Sequence, residues 1–175
     1  MTAGGPRTRA ENAARREAER EARHQRWLEV ELPRIRAAVR AEVERRGLAS
    51  FMNDTRWARL VEAVHAELPF PPAFQLQPML GERQPLIDPD AVRGWGAWSE
   101  LQFPVDVEWL RVIPRYRRPV GRLVPDETVD ATDAFRALLA RLRIPFREDA
   151  ARTFWIYGYA PADPATLTPP SEAPT

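Results

Sequence analysis

The chain has 175 residues, 44% of them apolar and 29% charged, which is enough for one cored domain plus an appendage. All 26 basic residues are arginine and there is no cysteine, so a disulfide framework, a thiolate zinc site, a cysteine nucleophile and a lysine-bearing phosphate loop are all excluded. Residues 1–51 hold 12 arginines against 8 acidic residues (net +4), and residues 52–175 hold 14 against 17 (net −3), so the larger part is mildly acidic and a poor platform for a phosphate backbone.

Residues 1–26 read as a charged lead. From Ala10 to Arg26 the text is Ala, Arg and Glu, with high helix propensity and no apolar face to bury. Residues 27–47 read as an amphipathic helix. Leu28, Leu32, Ile35, Val39 and Val43 recur at helical spacing, Pro33 sits near the start and Gly47 at the end. This helix needs a surface, either the domain or a second copy of the chain, and self-association through 27–47 is one expectation.

A second helix is expected from Asn53 or Asp54, with Trp57, Leu60, Val61, Val64 and Leu68 facing inward and Pro69, Pro71 and Pro72 ending it. Residues 73–80 alternate Phe74 and Leu76 against Gln75 and Gln77, as in a strand. Residues 81–100 read as loop. Strands are expected over Val105–Ile113 and Val120–Val124, with the basic run Arg115–Arg118 as the turn between them. A helix opens at Asp130 or Thr132 and runs to Arg143, and 146–148 and 153–159 form a hairpin. The proline-rich tail, 161–175, reads as disordered. The fold class is α+β: a small antiparallel sheet of about four to five strands with two helices packed on it, behind an N-terminal helical arm.

Few residues suit catalysis. His24 and His65 have no evident catalytic partner, and none of Ser50, Ser99 and Ser171 lies in a nucleophile elbow. Asp88 with Asp90, and Asp106 with Glu108, are the carboxylate pairs a metal-dependent hydrolase would use. Arg115-Tyr116-Arg117-Arg118, with the arm, is what a nucleic-acid binder would use. The more unusual feature is Gly94-Trp95-Gly96-Ala97-Trp98-Ser99-Glu100. Two indoles in a glycine-rich loop either fold onto the core or face a partner, and tryptophan is over-represented in binding hot spots. Arg93, Trp95, Trp98 and Glu100 are therefore the candidate contacts.

Met52–Trp57, Leu68-Pro69-Phe70-Pro71-Pro72-Ala73-Phe74, Gly94–Ser99, Gly121–Pro125 and Phe154–Tyr159 together resemble an uncharacterised family of small bacterial domains, over roughly residues 52–160. The resemblance implies a cytoplasmic bacterial protein of the kind that accompanies toxin systems. It transfers no catalytic residue. It also implies that family members begin near Met52, making residues 1–51 either an extension or the product of a start codon placed too early. The resulting expectation is a non-enzymatic protein-binding module, immunity-like or toxin-neutralising, with another protein as partner, no nucleic acid, no membrane, no cofactor and no metal. A carboxylate-dependent hydrolase and a nucleic-acid accessory protein are the alternatives.

Overall fold

The structure is a computed structural model that describes residues 8–102, 106–121 and 124–163. The expected disordered tail lies, from 164 onward, outside the described residues. The chain divides into two compact units, residues 1–38 and 39–175.

In the first unit, helix α1 (Arg9–Arg26) carries the Ala/Arg/Glu text and is exposed over residues 13–26. A π-helical segment, Trp27–Glu31, follows directly, and after it begins helix α2 (Leu32–Arg46), whose residues from Val39 on belong to the second unit. The Leu32 N–H donates to the Trp27 carbonyl, one residue further back than an α-helix reaches. Pro33 comes next and has no N–H to donate. The widened turn sits where the regular ladder loses that donor. The amphipathic helix expected over 27–47 is thus α-helical only from Leu32.

The second unit is α+β. Helix α3 (Asp54–Glu67) starts at Asn53, whose side chain accepts from the Arg56 N–H at 2.9 Å. Its sheet is four-stranded and antiparallel, in the order β2 (Ala73–Pro78), β3 (Val107–Ile113), β7 (Phe154–Tyr157), β6 (Phe146–Glu148). One face carries the rows Leu76–Leu110–Ile156–Phe146 and Phe74–Val112–Phe154. Against it pack Trp57, Leu60 and Val64 of α3 and Phe135, Leu138 and Leu139 of α4 (Thr132–Arg141). Each large side chain buried there contributes about 1.5–3 kcal/mol.

Two smaller antiparallel ribbons complete the fold. Strand β1 (Leu48–Ser50) pairs with β8 (Tyr159–Pro161), so the folded unit begins upstream of residue 52, where the sequence suggested a boundary. Gly158 separates β7 from β8, and a Cβ there would collide with the Val107 carbonyl, so the strand expected over 153–159 is split. Strand β4 (Arg115–Arg118) pairs with β5 (Glu127–Asp130).

This last ribbon corrects the expected strand at Val120–Val124. Val120 and Val124 lie outside any strand and are exposed, and 122–123 lie outside the described residues. The basic run is itself the strand. It places Arg115 opposite Asp130 and Arg118 opposite Glu127, and opposite charges directly across a ribbon stabilise its register.

Candidate functional site

The segment 88–102 turns the loop of the sequence into a fixed display. The Asp88 carboxylate accepts from the Asp90 N–H at 2.9 Å and starts the turn Pro89–Ala91. The Gly96 N–H donates to the Pro71 carbonyl at 3.1 Å. A Cβ on Gly96 would collide with the Pro72 carbonyl, so only glycine permits this approach. Trp98 opens a helical turn (Trp98–Gln102) and is fully buried. Its indole N–H donates to the Pro72 carbonyl at 2.7 Å, and its ring meets Phe74 and Phe135 edge-on at 5.4 and 6.3 Å.

Trp95 does the opposite. It is 65% exposed, on a segment anchored one residue later by Gly96 and three later by Trp98. The four candidate contacts therefore do not form one surface. Trp98 is a core residue that fastens the loop, Trp95 is displayed, Arg93 pairs with Asp126, and the Glu100 side chain lies outside the described residues.

The β4–β5 ribbon lies alongside. The Arg117 N–H donates to the Val92 carbonyl at 3.1 Å, and the Arg93–Asp126 pair ties the same segment to the entry of β5. Tyr116 meets Phe70 edge-on at 4.9 Å. Arg115 reaches Asp90 at 3.4 Å and the Ala151 carbonyl at 2.7 Å, and Arg118 pairs with Glu127. Asp130 sits where burial opposes its charge. Hydrogen bonds from Thr132 and the nearby Arg152 and Arg115 outweigh that and hold it below the ordinary carboxylate range. Between the Pro89–Ala91 turn and the ribbon is a hollow of about 60 Å³, lined by Pro89, Asp90, Val92, Arg115, Arg117 and Thr128 among others. Small-molecule sites run to about 300–1,000 Å³, so the hollow has room for one side-chain tip.

The carboxylate pairs are not brought together as pairs. Glu108 holds Arg46 through two bonds of 2.6 and 3.1 Å, Asp90 faces Arg115, and Asp88 caps its turn. Asp106 precedes β3 rather than sharing its face with Glu108, and its carbonyl accepts from Met79 at 2.5 Å. Among the described residues no group of three or more His, Asp or Glu is placed to hold a metal ion. His24 and His65 are both exposed.

The second face of the sheet holds what sequence reasoning missed. Gln75 and Gln77, which alternate with Phe74 and Leu76 along β2, are buried too, at 7% and 1% exposed. Segment 82–87 crosses them as a strap, held through its main chain. Gln77 donates to the Glu82 carbonyl and accepts from the Gln84 N–H, both at 3.0 Å. Gln75 donates to the Pro85 carbonyl at 2.7 Å and accepts from the Ile87 N–H at 3.0 Å. Arg111, 5% exposed, donates to the Ile87 carbonyl at 2.8 Å and lies over the Trp155 ring at 5.2 Å.

Asp149 anchors the neighbouring hairpin, accepting from the Thr153 N–H, the Thr153 hydroxyl and the Trp155 indole at 2.9, 2.5 and 2.9 Å. Burial works to raise its pKa, but these donors and Arg111 prevail and lower it. Trp109 and Tyr157 are cross-strand neighbours, and the Trp109 indole N–H and the Tyr157 hydroxyl are both buried without a hydrogen-bond partner among the described residues. Burial pushes the Tyr157 hydroxyl up to about 12. This face builds the fold, whereas Trp95 is exposed to solvent.

Among the described residues no helix is long and apolar enough to cross a membrane. Residues 39–163 match the model of a family of unknown function, DUF6678. The match begins at Val39, upstream of Met52. Neither the curated proteins nor the solved structures yield a match.

Proposed function

We propose that this chain, which belongs to the family of unknown function DUF6678, is a protein-binding module that docks a partner on the surface around Trp95. The observation that supports this most is the exposure of Trp95, 65%, on a backbone fixed by Gly96 and Trp98. Holding an apolar ring of that size in water is unfavourable by itself, and a partner gains its full burial. A fixed backbone lowers the ordering cost of association, so more of the contact energy appears as affinity. Val120 and Val124, 50% and 57% exposed, lie outside the strands, in the connection from β4 to β5, whose entry Arg93 and Asp126 tie to this segment. Apolar residues with charged neighbours have the make-up of an interface core and rim.

The most concrete form of this reading is an immunity-like bacterial protein that neutralises a toxin in the cytoplasm. Quantitative capture tests it. Immobilised wild-type and Trp95→Ala chains are compared in extract of the source cells, with thermal melts confirming that both are folded. A partner held by wild type and lost by Trp95→Ala supports the reading. Equal retention by both removes Trp95 as the docking residue.

A further inference from the structure

We infer that the hollow between the Pro89–Ala91 turn and the β4–β5 ribbon seats a single carboxylate side chain of the partner protein. The inference rests on the binding role proposed above and names the chemistry the partner brings to it.

Four arginines border this surface. Arg93 pairs with Asp126, Arg115 reaches Asp90, and Arg118 pairs with Glu127. Arg117 alone of the four makes no side-chain hydrogen bond or ion pair among the described residues. Its cross-strand neighbour Thr128, on the same face of the ribbon, has a hydroxyl equally without a partner. Both line the hollow. Each neighbouring guanidinium is satisfied by a carboxylate of this chain, and the arginine left over lines a space the size of such a group.

Three further observations choose the ligand. The hollow, at about 60 Å³, is too small for a nucleotide or cofactor and suits a side-chain tip. Its charged lining is Arg115, Arg117 and Asp90, a balance of one positive charge, which suits a monoanion. An extended phosphate backbone would run against Asp90, Asp126 and Glu127 on the same surface and against the net −3 of residues 52–175. The position also fits: the Arg117 N–H holds the Val92 carbonyl, three residues before Trp95. A partner that covers Trp95 and the hollow together desolvates Arg117, and an arginine desolvated without a counter-charge is strongly unfavourable. A carboxylate in the hollow removes that penalty and fixes the register of docking.

The test uses the full ¹⁵N-labelled chain and a blocked peptide, acetyl-Ala-Glu-Ala-amide, with its Gln counterpart as control. The Glu peptide should give saturable shifts at the amides of Val92, Arg117 and Thr128 in the millimolar range, and the Gln peptide none. Arg117→Gln should abolish the response and Thr128→Val should weaken it several-fold. Trp95→Ala should leave it intact, so the hollow is read independently of the tryptophan. Equal shifts with the Gln peptide, or persistence of the response in Arg117→Gln, would overturn the inference. So would saturation by inorganic phosphate or by a short single-stranded RNA without a response to the Glu peptide. If Trp95→Ala loses the captured partner while the Glu peptide fails to bind, the carboxylate seat is wrong and the binding role stands.

Discussion

Trp95 and Trp98 sit three residues apart in one glycine-rich loop, and alanine should affect them very differently. Trp98 is fully buried against Phe74 and Phe135 and gives its N–H to the Pro72 carbonyl. Removing a buried indole costs about 3–5 kcal/mol through lost burial and the cavity left behind. The orphaned Pro72 carbonyl places Trp98→Ala in the upper part of that range, near 4 kcal/mol by order of magnitude. For a chain of 175 residues about 2–4 °C is lost per kcal/mol, so the melting temperature should fall by roughly 8–16 °C. Trp95 is 65% exposed and has little packing to lose, so Trp95→Ala should stay within about 0.5 kcal/mol of wild type. Guanidinium titrations and calorimetric melts of the two variants decide the matter. If Trp95→Ala destabilises as much as Trp98→Ala, Trp95 folds back onto the domain and the display is wrong. If Trp98→Ala costs less than about 1 kcal/mol, the anchor is wrong.

Gln77→Ala should free the strap, costing about 1–3 kcal/mol and raising amide exchange at Gln84 more than at Leu110 in the sheet; unchanged exchange at Gln84 would contradict the side-chain tether. Tyr157→Phe removes a buried hydroxyl without a partner, so it should be neutral or stabilising by up to about 1 kcal/mol at pH 7. Because the folded hydroxyl titrates near 12 against 10.0 unfolded, it contributes a loss of stability as pH rises from about 10 to 12, and that part of the alkaline slope should vanish in Tyr157→Phe. A clear destabilisation would instead reveal a partner for the hydroxyl. Asp149→Asn should cost about 2 kcal/mol near neutrality. The folded pKa of Asp149 lies below its ordinary 3.8, so its contribution is present above that value and is lost as pH falls through the folded pKa. Denaturant titrations should show the gap between wild type and Asp149→Asn closing only below about pH 4, and a gap already closed at pH 5 would refute the pairing.

Local patterns made part of this fold legible. Trp57, Leu60 and Val64 recur at helical spacing behind a capping asparagine, and α3 follows from that alone. The alternation of Phe74 and Leu76 with Gln75 and Gln77 marks β2 as a strand, but it carries no sign that the glutamine side is buried as well. The missing information is a strap whose main-chain groups satisfy the glutamines, and main-chain groups leave no mark in composition. Strand β4 was hidden because Arg-Tyr-Arg-Arg has no apolar alternation. Its pairing depends on Glu127 and Asp130, which are distant in sequence. Strand β1 likewise exists only through β8.

The loop at 94–100 shows the same limit at the site. Its two tryptophans have equal claims as contacts when only type and spacing are known. Which one goes inside is decided by Gly96, whose close approach to the Pro72 carbonyl brings Trp98 within reach of the same oxygen and leaves Trp95 outside. Arg117 is likewise indistinguishable by type from Arg93, Arg115 and Arg118, and differs from them only in that each of those three pairs with a carboxylate.

The central claim, that Trp95 is the docking residue, is tested most directly by isothermal titration of the captured partner against wild-type and Trp95→Ala protein. The account predicts a loss of about 2 kcal/mol or more, roughly 30-fold in Kd, with an unchanged melting temperature. An unchanged Kd would contradict it.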